Sequence, residues 1–544
     1  MEGKKRVVPG EVCAKRAERR NHSRKAVLNA QKSAEAIVPW GGKKKKRNLK
    51  GKGGTNTSRS KRRKEDGMKN AENVGSCPQR DSTECEGYAG AQSAVQPGNG
   101  ETAGRSQKLL EAILNRDNLN RAYKRVKANK GAPGADGMTV EEALPWLKEH
   151  GKEMTEEIRS GKYKPTPVRR KEIPKPDGGV RKLGIPTVKD RIVQQAIAQQ
   201  LMPLYEPKFS EGSYGYRPGR SAQDAIFKIR GYVDEGYEWA VQLDLSKYFD
   251  TLNHEKLLNL LRETVKDERV IQLIKRFLKS GVMENGVKIA TTEGSPQGGP
   301  LSPLLANVYL NEFDWEYERR GVPVIRYADD IVLLCKSQRA AERLLESSIR
   351  YLEGKLKLRV NREKSHIAKV NATEKFKFLG FAYGKGKDGL FIRVHPKALL
   401  KAKNKLRAIT KRNRGVNVRK VMQEIKVYMT GWLNYYGIAS LKTKMQEWDE
   451  WLRHRIRAYI WKQWKKPKTK MRNLVKLGVP EYYAHMAANS RRGYWFTVNT
   501  GAVKRGITNE RLIRAGFFEL SPAYESVRSA CIGRAVYRTV RTVR

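Results

Sequence analysis

The alternation of apolar and polar positions divides this chain near residue 105. Before that point long apolar periodicity is absent, and Lys, Arg, Ser, Gly and Asn dominate. Such a composition predicts a disordered basic tail over 1–104, with a short helix over 14–36 as the one element it allows. From Ser106 onward the pattern becomes periodic. Leu109, Leu110, Ile113 and Leu114 have helical spacing, and Leu119, Ala122 and Tyr123 continue it. Thr139 is expected to cap a helix, with Glu142 in the capping-box position. Residues 168–186 read as a β-hairpin turning at Lys175-Pro176-Asp177-Gly178-Gly179, followed by a helix over 188–204. Trp239 to Leu245 reads as a buried strand ending in the carboxylate of Asp244, with a helix from His254. Gly294 to Asn307 is a tight loop opening an amphipathic helix that runs to about Arg319. Two apolar runs, Val324–Tyr327 and Ile331–Leu334, flank Asp329-Asp330 and predict a hairpin with both aspartates at its turn. A helix over 340–352 and a strand over Phe376–Phe381 follow, and from Pro396 the chain turns helical and strongly basic.

Charge sharpens this picture. The chain has 544 residues, with 111 Lys plus Arg against 57 Asp plus Glu, a formal net charge of +54. That excess points to a polyanion, nucleic acid first and a membrane surface well behind. No apolar run is long enough to span a bilayer, and no apolar leader opens the chain. The five cysteines, at 13, 77, 85, 335 and 531, show no paired spacing. This argues against a disulfide framework or zinc ribbon and fits a reducing cytoplasm. A glycine-rich loop over 130–137 lacks the Gly-Lys-Ser/Thr of a P-loop. In the basic half, Lys397, Lys401 and Lys405 share one helix face. Trp432, Tyr435, Tyr436, Trp448, Trp451, Trp461 and Trp464 interleave with Arg453, Arg455, Arg457 and Lys462. Such mixtures stack bases and hold phosphates, or pack the rings inward beneath a cationic face.

The candidate chemistry lies in the aspartates. Adjacent carboxylates repel and resist burial, so a cation should compensate them, most simply a divalent metal with oxygen ligands. A solvated Asp-Asp turn is the competing reading of the doublet alone. Asp244 at the end of a second strand changes the balance. Two aspartates from separate strands can hold a pair of divalent ions roughly 3.5–4 Å apart, which activates a 3′-hydroxyl and stabilises a pyrophosphate leaving group.

Tyr327-Ala328-Asp329-Asp330 resembles the catalytic motif of reverse transcriptases. Gly294-Ser295-Pro296-Gln297-Gly298-Gly299-Pro300-Leu301-Ser302-Pro303 resembles the group II intron branch in particular. Further likenesses are Arg181 to Pro186, Tyr214-Gly215-Tyr216-Arg217-Pro218 and Phe378-Leu379-Gly380-Phe381. Gly431 to Tyr436 is similar to the maturase, or thumb, domain. Ile460 to Lys465 is similar to the segment that follows in bacterial class C members. The resemblance covers about Ser106 to Tyr524. It implies an α+β right-hand polymerase: fingers and an antiparallel-sheet palm over 105–395, an α-helical thumb over 396–465, and a basic DNA-binding region over 466–544. It implies two Mg²⁺ ions held by Asp244 and Asp329, with Asp330 beside them and the Leu245 carbonyl completing a metal shell. Lys175 and Arg181 would hold the incoming dNTP, Gln297 would line its site, Phe249 would exclude a 2′-hydroxyl, and Lys364 would lie near the phosphates. Lys397, Lys401, Lys405, Arg453 and Arg457 would contact RNA. The expected partners are group II intron RNA, an RNA template with DNA primer, target DNA and dNTPs, in a bacterial cytoplasmic ribonucleoprotein and with no membrane. Longer members end in an H-N-H endonuclease with paired cysteines; here only His485 and Cys531 follow Trp464, so that module is not expected. Two alternatives stand beside this reading: an RNA-folding splicing cofactor with a vestigial polymerase site, and a reverse transcriptase recruited to host defence or repair.

Overall fold

The computed structural model describes residues 108–174, 179–284, 287–291, 293–387 and 389–542. The expected tail over 1–104, its helix over 14–36, and Lys175 with the tip of its hairpin lie outside the described residues. The chain begins with α1 (Leu109–Leu114), α2 (Arg116–Ala128) and α3 (Ala143–Arg159). The reciprocal Thr139–Glu142 bonds form, at 2.9 and 3.3 Å. They close a turn, however, and the helix starts only at Ala143. The expected hairpin is β1 (Val168–Pro174) and β2 (Val180–Ile185), and α4 (Val188–Tyr205) follows it. Thr187 caps α4 by accepting from the Asp190 amide, satisfying a donor the helix leaves open.

Next come α5 (Ala222–Asp234), β3 (Trp239–Asp244), α6 (His254–Thr264), α7 (Glu268–Leu278), β4 (Val282–Glu284), β5 (Val287–Ile289) and α8 (Ser302–Arg319). Then come β6 (Val324–Tyr327), β7 (Asp330–Cys335), α9 (Gln338–Arg350), β8 (His366–Lys369), β9 (Phe381–Gly386) and β10 (Gly389–Val394). The strands form a sheet ordered β2-β1-β4-β5, a palm-like sheet ordered β6-β7-β3-β8, and a separate β9–β10 hairpin. The strand expected over 376–381 is instead a tight turn. Leu379 and Gly380 have φ of 50° and 80°, and Phe378 bridges Phe381. Gly380 is required there because a Cβ would meet the Tyr436 hydroxyl at 2.4 Å.

The palm sheet is buried on both faces, which explains why β7 reads as an unbroken apolar run. Val241, Leu243, Ile331 and Leu333 pack into a core shared with α1 to α4 and α6 to α8, while α5 packs with the second core. Ala240, Val332 and Leu334 face a second core. That second core is built with α10 (Pro396–Ile409), α11 (Val418–Tyr436) and α12 (Lys442–Gln463). It continues without interruption through α13 (Pro467–Lys476), α14 (Glu481–Ala488), α15 (Tyr494–Thr497), α16 (Gly501–Gly506) and α17 (Asn509–Arg514) into α18 (Leu520–Thr542). Trp432, Trp448 and Trp461 are buried in it, so these rings pack inward. Among the described residues no helix is long and apolar enough to cross a membrane.

Candidate active site

β3 and β7 run antiparallel, and their register sets Asp244 opposite Asp330. The Asp244 amide donates to Ser365 Oγ at 3.0 Å, and its carbonyl accepts from the Asn361 amide at 2.8 Å. Both backbone groups of Asp244 therefore point away from β7. Asp244 and Asp330 form a non-hydrogen-bonded pair, the type in which side chains come closest. By the same alternation the Leu245 carbonyl points toward the β6–β7 turn. The turn itself is Ala328-Asp329; Asp330 is already the first residue of β7 rather than part of the turn. Ala328 has φ of 58°, a strained value for a residue with a Cβ.

Asp244 and Asp329 are half-buried, and Asp330 is exposed. Burial pushes the Asp329 carboxyl above the usual aspartate range. Its own backbone amide draws it back down, Asp244 pushes it up again, and Arg181 and Arg326 pull it down. These couplings put Asp244, Asp329 and Arg181 in one electrostatic neighbourhood although they come from three separate strands and turns. Among the described residues no group of three His, Cys, Asp or Glu side chains is set to hold a metal. A metal here would have to draw on the strand carboxylate of Asp244, the turn carboxylate of Asp329 and the Leu245 carbonyl, with remaining oxygens from substrate. That donor set is all hard oxygen, which suits Mg²⁺. The like charges facing each other across β3 and β7 suit a cation between them.

The loop from Gly294 is fastened against this neighbourhood. The Ser295 amide donates to the Phe249 carbonyl at 2.6 Å, and the Gly294 amide to the Leu252 carbonyl at 2.8 Å. The Gly184 amide donates to the Gln297 carbonyl at 2.8 Å. Phe249, Gln297 and the β2 strand bearing Arg181 are thereby joined by backbone bonds. Gly298 adopts φ of 126°, and a Cβ there would meet the Gly184 carbonyl at 2.6 Å, so the loop needs glycine to approach β2. His254 is buried, and its Nε2 bonds the Gly294 carbonyl at 2.6 Å. Burial holds its pKa below the usual histidine range. Phe249 is half-buried and packs on Tyr248, ring centroids 5.3 Å apart. Lys364 is exposed on a turn whose Asn361 amide holds the Asp244 carbonyl.

Lys397, Lys401 and Lys405 are all exposed along α10. Arg453 and Arg457 are placed otherwise than the sequence reading expected. Arg457 is buried, donating from Nε to the Ile507 carbonyl at 2.8 Å and from Nη2 to Asn509 at 2.7 Å. Arg453 is half-buried and pairs with Glu519 at 3.6 Å. Both tie α12 to the segment after residue 500. Their periodicity on a basic helix could not distinguish a surface cation from one turned inward to satisfy carbonyls.

Sequence reasoning missed Arg326, Asp314, Ser365 and His254. Arg326 and Asp314 form an ion pair with no solvent exposure, closest contact 2.6 Å, beneath the β6–β7 turn. Removing one partner of such a buried pair costs about 3–5 kcal/mol. The signal was present: an arginine in the middle of the apolar Val324–Tyr327 run, and an aspartate on the apolar side of α8.

Residues 173–383 match the family described as reverse transcriptase (RNA-dependent DNA polymerase). Residues 399–478 match the group II intron, maturase-specific domain. The chain is 36% identical over 317 residues to protein YkfC of Escherichia coli (strain K12), covering 51% of this chain and 82% of that protein. It is 39% identical over 208 residues to the group II intron-encoded protein LtrA of Lactococcus lactis subsp. cremoris, covering 38% of this chain and 34% of LtrA. It is 33% identical over 139 residues to nuclear intron maturase 4, mitochondrial, of Arabidopsis thaliana, covering 25% of this chain and 17% of that protein. The aligned part thus spans about a third of LtrA.

Proposed function

This chain belongs to the group II intron reverse transcriptase and maturase family, and on that footing we propose that it copies RNA into DNA at the Asp244–Asp329 site and binds its intron RNA to assist splicing. The observation that carries the polymerase reading is the β3–β7 register, which sets Asp244 opposite Asp330 and one residue from the Asp329 turn. Asp244, Asp329 and the Leu245 carbonyl would hold two divalent ions, with Asp330 alongside. When bound, these ions would lower the pKa of the primer 3′-hydroxyl and carry the charge of the departing pyrophosphate. Arg181 and Lys175 would hold the triphosphate by charge-assisted hydrogen bonds. Gln297 would line the nucleotide site from its fastened loop. Phe249, held through its carbonyl by Ser295, would crowd a 2′-hydroxyl and favour dNTPs. Lys364 would approach the phosphates from a turn anchored on the backbone of Asp244.

The exposed Lys397, Lys401 and Lys405 face of α10 would hold RNA phosphates, so binding should weaken steeply with salt. Splicing chemistry would remain with the RNA, the protein stabilising its fold. Target DNA would be met by the basic C-terminal helices, in a ribonucleoprotein that primes from target or nascent DNA.

Incorporation of dTTP on poly(rA)/oligo(dT), with Asp329→Ala as control, tests the polymerase reading. Incorporation abolished by Asp329→Ala supports it. Splicing assistance without any incorporation by the wild type would favour the RNA-folding cofactor instead.

A further inference from the structure

Arg326 uses its whole guanidinium in one place. Nε donates to both Asp314 oxygens at 2.9 and 2.8 Å. Nη2 donates to Asp314 Oδ2 at 2.6 Å and to Ser213 Oγ at 2.8 Å. Nη1 donates to Asn307 Oδ1 at 2.9 Å and to the Ala328 carbonyl at 3.1 Å. The last of these bonds reaches the turn that carries Asp329.

The Ala328 carbonyl and the Asp329 amide belong to one planar peptide unit. Positive φ falls at Ala328 and not at Asp329, the pattern of a type II′ turn. Rotating that peptide would convert the turn toward type I′, which needs positive φ at Asp329 too. The same rotation would swing the Ala328 oxygen away from Nη1. On the other flank the segment Gly212–Gly215 closes in. The Arg326 amide donates to the Gly212 carbonyl, and the Tyr214 amide to the Arg326 carbonyl, both at 2.8 Å. A Cβ on Gly215 would stand 2.3 Å from the Ala328 nitrogen. Asn307 Nδ2 holds the Gly215 carbonyl at 2.8 Å, so one asparagine fixes both the guanidinium and the flanking backbone.

We propose that Arg326 is a positioning residue: by holding the Ala328 carbonyl it fixes the 328–329 peptide plane, and with it the direction in which the Asp329 carboxylate meets a metal ion. This rests on the polymerase reading of the site. A guanidinium is required because the fork must reach Asp314, Ser213, Asn307 and Ala328 together, whereas a lysine ammonium offers three donors from one atom. If Arg326 served only the core, its loss would lower stability and the fraction of competent enzyme without touching metal dependence.

The test compares wild type with Arg326→Lys by two measurements. In the metal-free protein, amide exchange over 327–331 should rise about tenfold in the variant, while exchange over 442–463 stays at the wild-type level. In pre-steady-state dTTP incorporation with template-primer in excess, the burst amplitude counts competent enzyme, and the Mg²⁺ concentration giving half the maximal burst rate should rise about tenfold. The dNTP KM should stay within about threefold of wild type. Unchanged exchange over 327–331 together with unchanged Mg²⁺ dependence in a folded variant would overturn the proposal. If Arg326→Lys does not fold, Ser213→Ala keeps the ion pair and removes one acceptor. It is read the same way, with an expected change of about twofold. A wild type that incorporates nothing at any Mg²⁺ concentration would sink the polymerase reading instead, and the exchange comparison would still decide the brace.

Discussion

Asp244 and Asp330 face each other directly across β3 and β7 as a non-hydrogen-bonded pair, so two negative charges meet where antiparallel strands bring side chains closest. Like charges set opposite in this way destabilise a sheet, and a shared cation reverses the sign. Mg²⁺ should therefore raise the melting temperature of the wild type. Asp330→Asn should raise the metal-free stability by about 0.2–1 kcal/mol and shrink the Mg²⁺-induced rise. Thermal melts with chelator and with Mg²⁺ check both. If Asp244 and Asp329 hold the ions as proposed, Asp244→Asn or Asp329→Asn should lower incorporation by about 10³-fold or more, because each change would remove a ligand to the ions that carry transition-state charge.

Phe249 presents a steric question with a kinetic answer. Its ring is half-buried beside Tyr248 and its backbone is tied to Ser295. Phe249→Val should leave dTTP incorporation nearly intact and raise rUTP incorporation by about 10–200-fold relative to it, the range expected when a small steric block is removed. Single-nucleotide incorporation ratios measure this. An unchanged ratio would make Phe249 a packing residue.

His254 gives the fold an acid-sensitive point. Its imidazole is buried, and Nδ1 has no hydrogen-bond partner among the described residues. Its folded pKa is lowered by burial, so the unfolded chain binds the proton more readily than the folded one. Stability from this group is therefore full above the unfolded value of about 6.5, and is lost as pH falls from there through the lowered folded value. Nε2 donates to the Gly294 carbonyl in either protonation state, so the cost of the added proton falls on the buried Nδ1. Chemical denaturation between pH 5 and 7 should give a shallower slope for His254→Gln than for the wild type.

Two cations on neighbouring helices should behave in opposite ways. Lys401 is exposed on α10, and Lys401→Ala should weaken RNA binding across sequences and reduce the salt slope by about 1, with little change in melting temperature. Arg457→Ala should destabilise by about 1–3 kcal/mol, because the buried Ile507 carbonyl loses its donor. Its effect on the salt slope should be small. Filter binding over a salt series and thermal melts separate the two.

Most of the framework was legible because local chemistry and burial agree. Val188–Tyr205 and Ser302–Arg319 carry clear helical signals, and the turn chemistry of 168–186 allowed one hairpin. The convergence of Asp244, Asp329, Phe249 and Gln297 was reached through resemblance, since no periodicity tells which strands become neighbours. Three features escaped for stated physical reasons. The Leu379-Gly380 turn is imposed by Tyr436 from a distant helix. The α3 start slips to Ala143 although its capping bonds form. Arg457 turns inward because the carbonyls after residue 500 come to rest against α12. Each depends on packing between segments remote in sequence, which a local pattern does not contain.

The order β6-β7-β3-β8 also has a bearing on synthesis at the ribosome. β3 emerges long before its partner β7, and its carboxylate has no counterpart until the chain has passed the β6–β7 hairpin. Pairings of such long loop closure form late. A nascent chain stalled before Cys335 would carry Asp244 yet be inert, so catalytic competence arrives with translation of the later strands rather than growing by degrees.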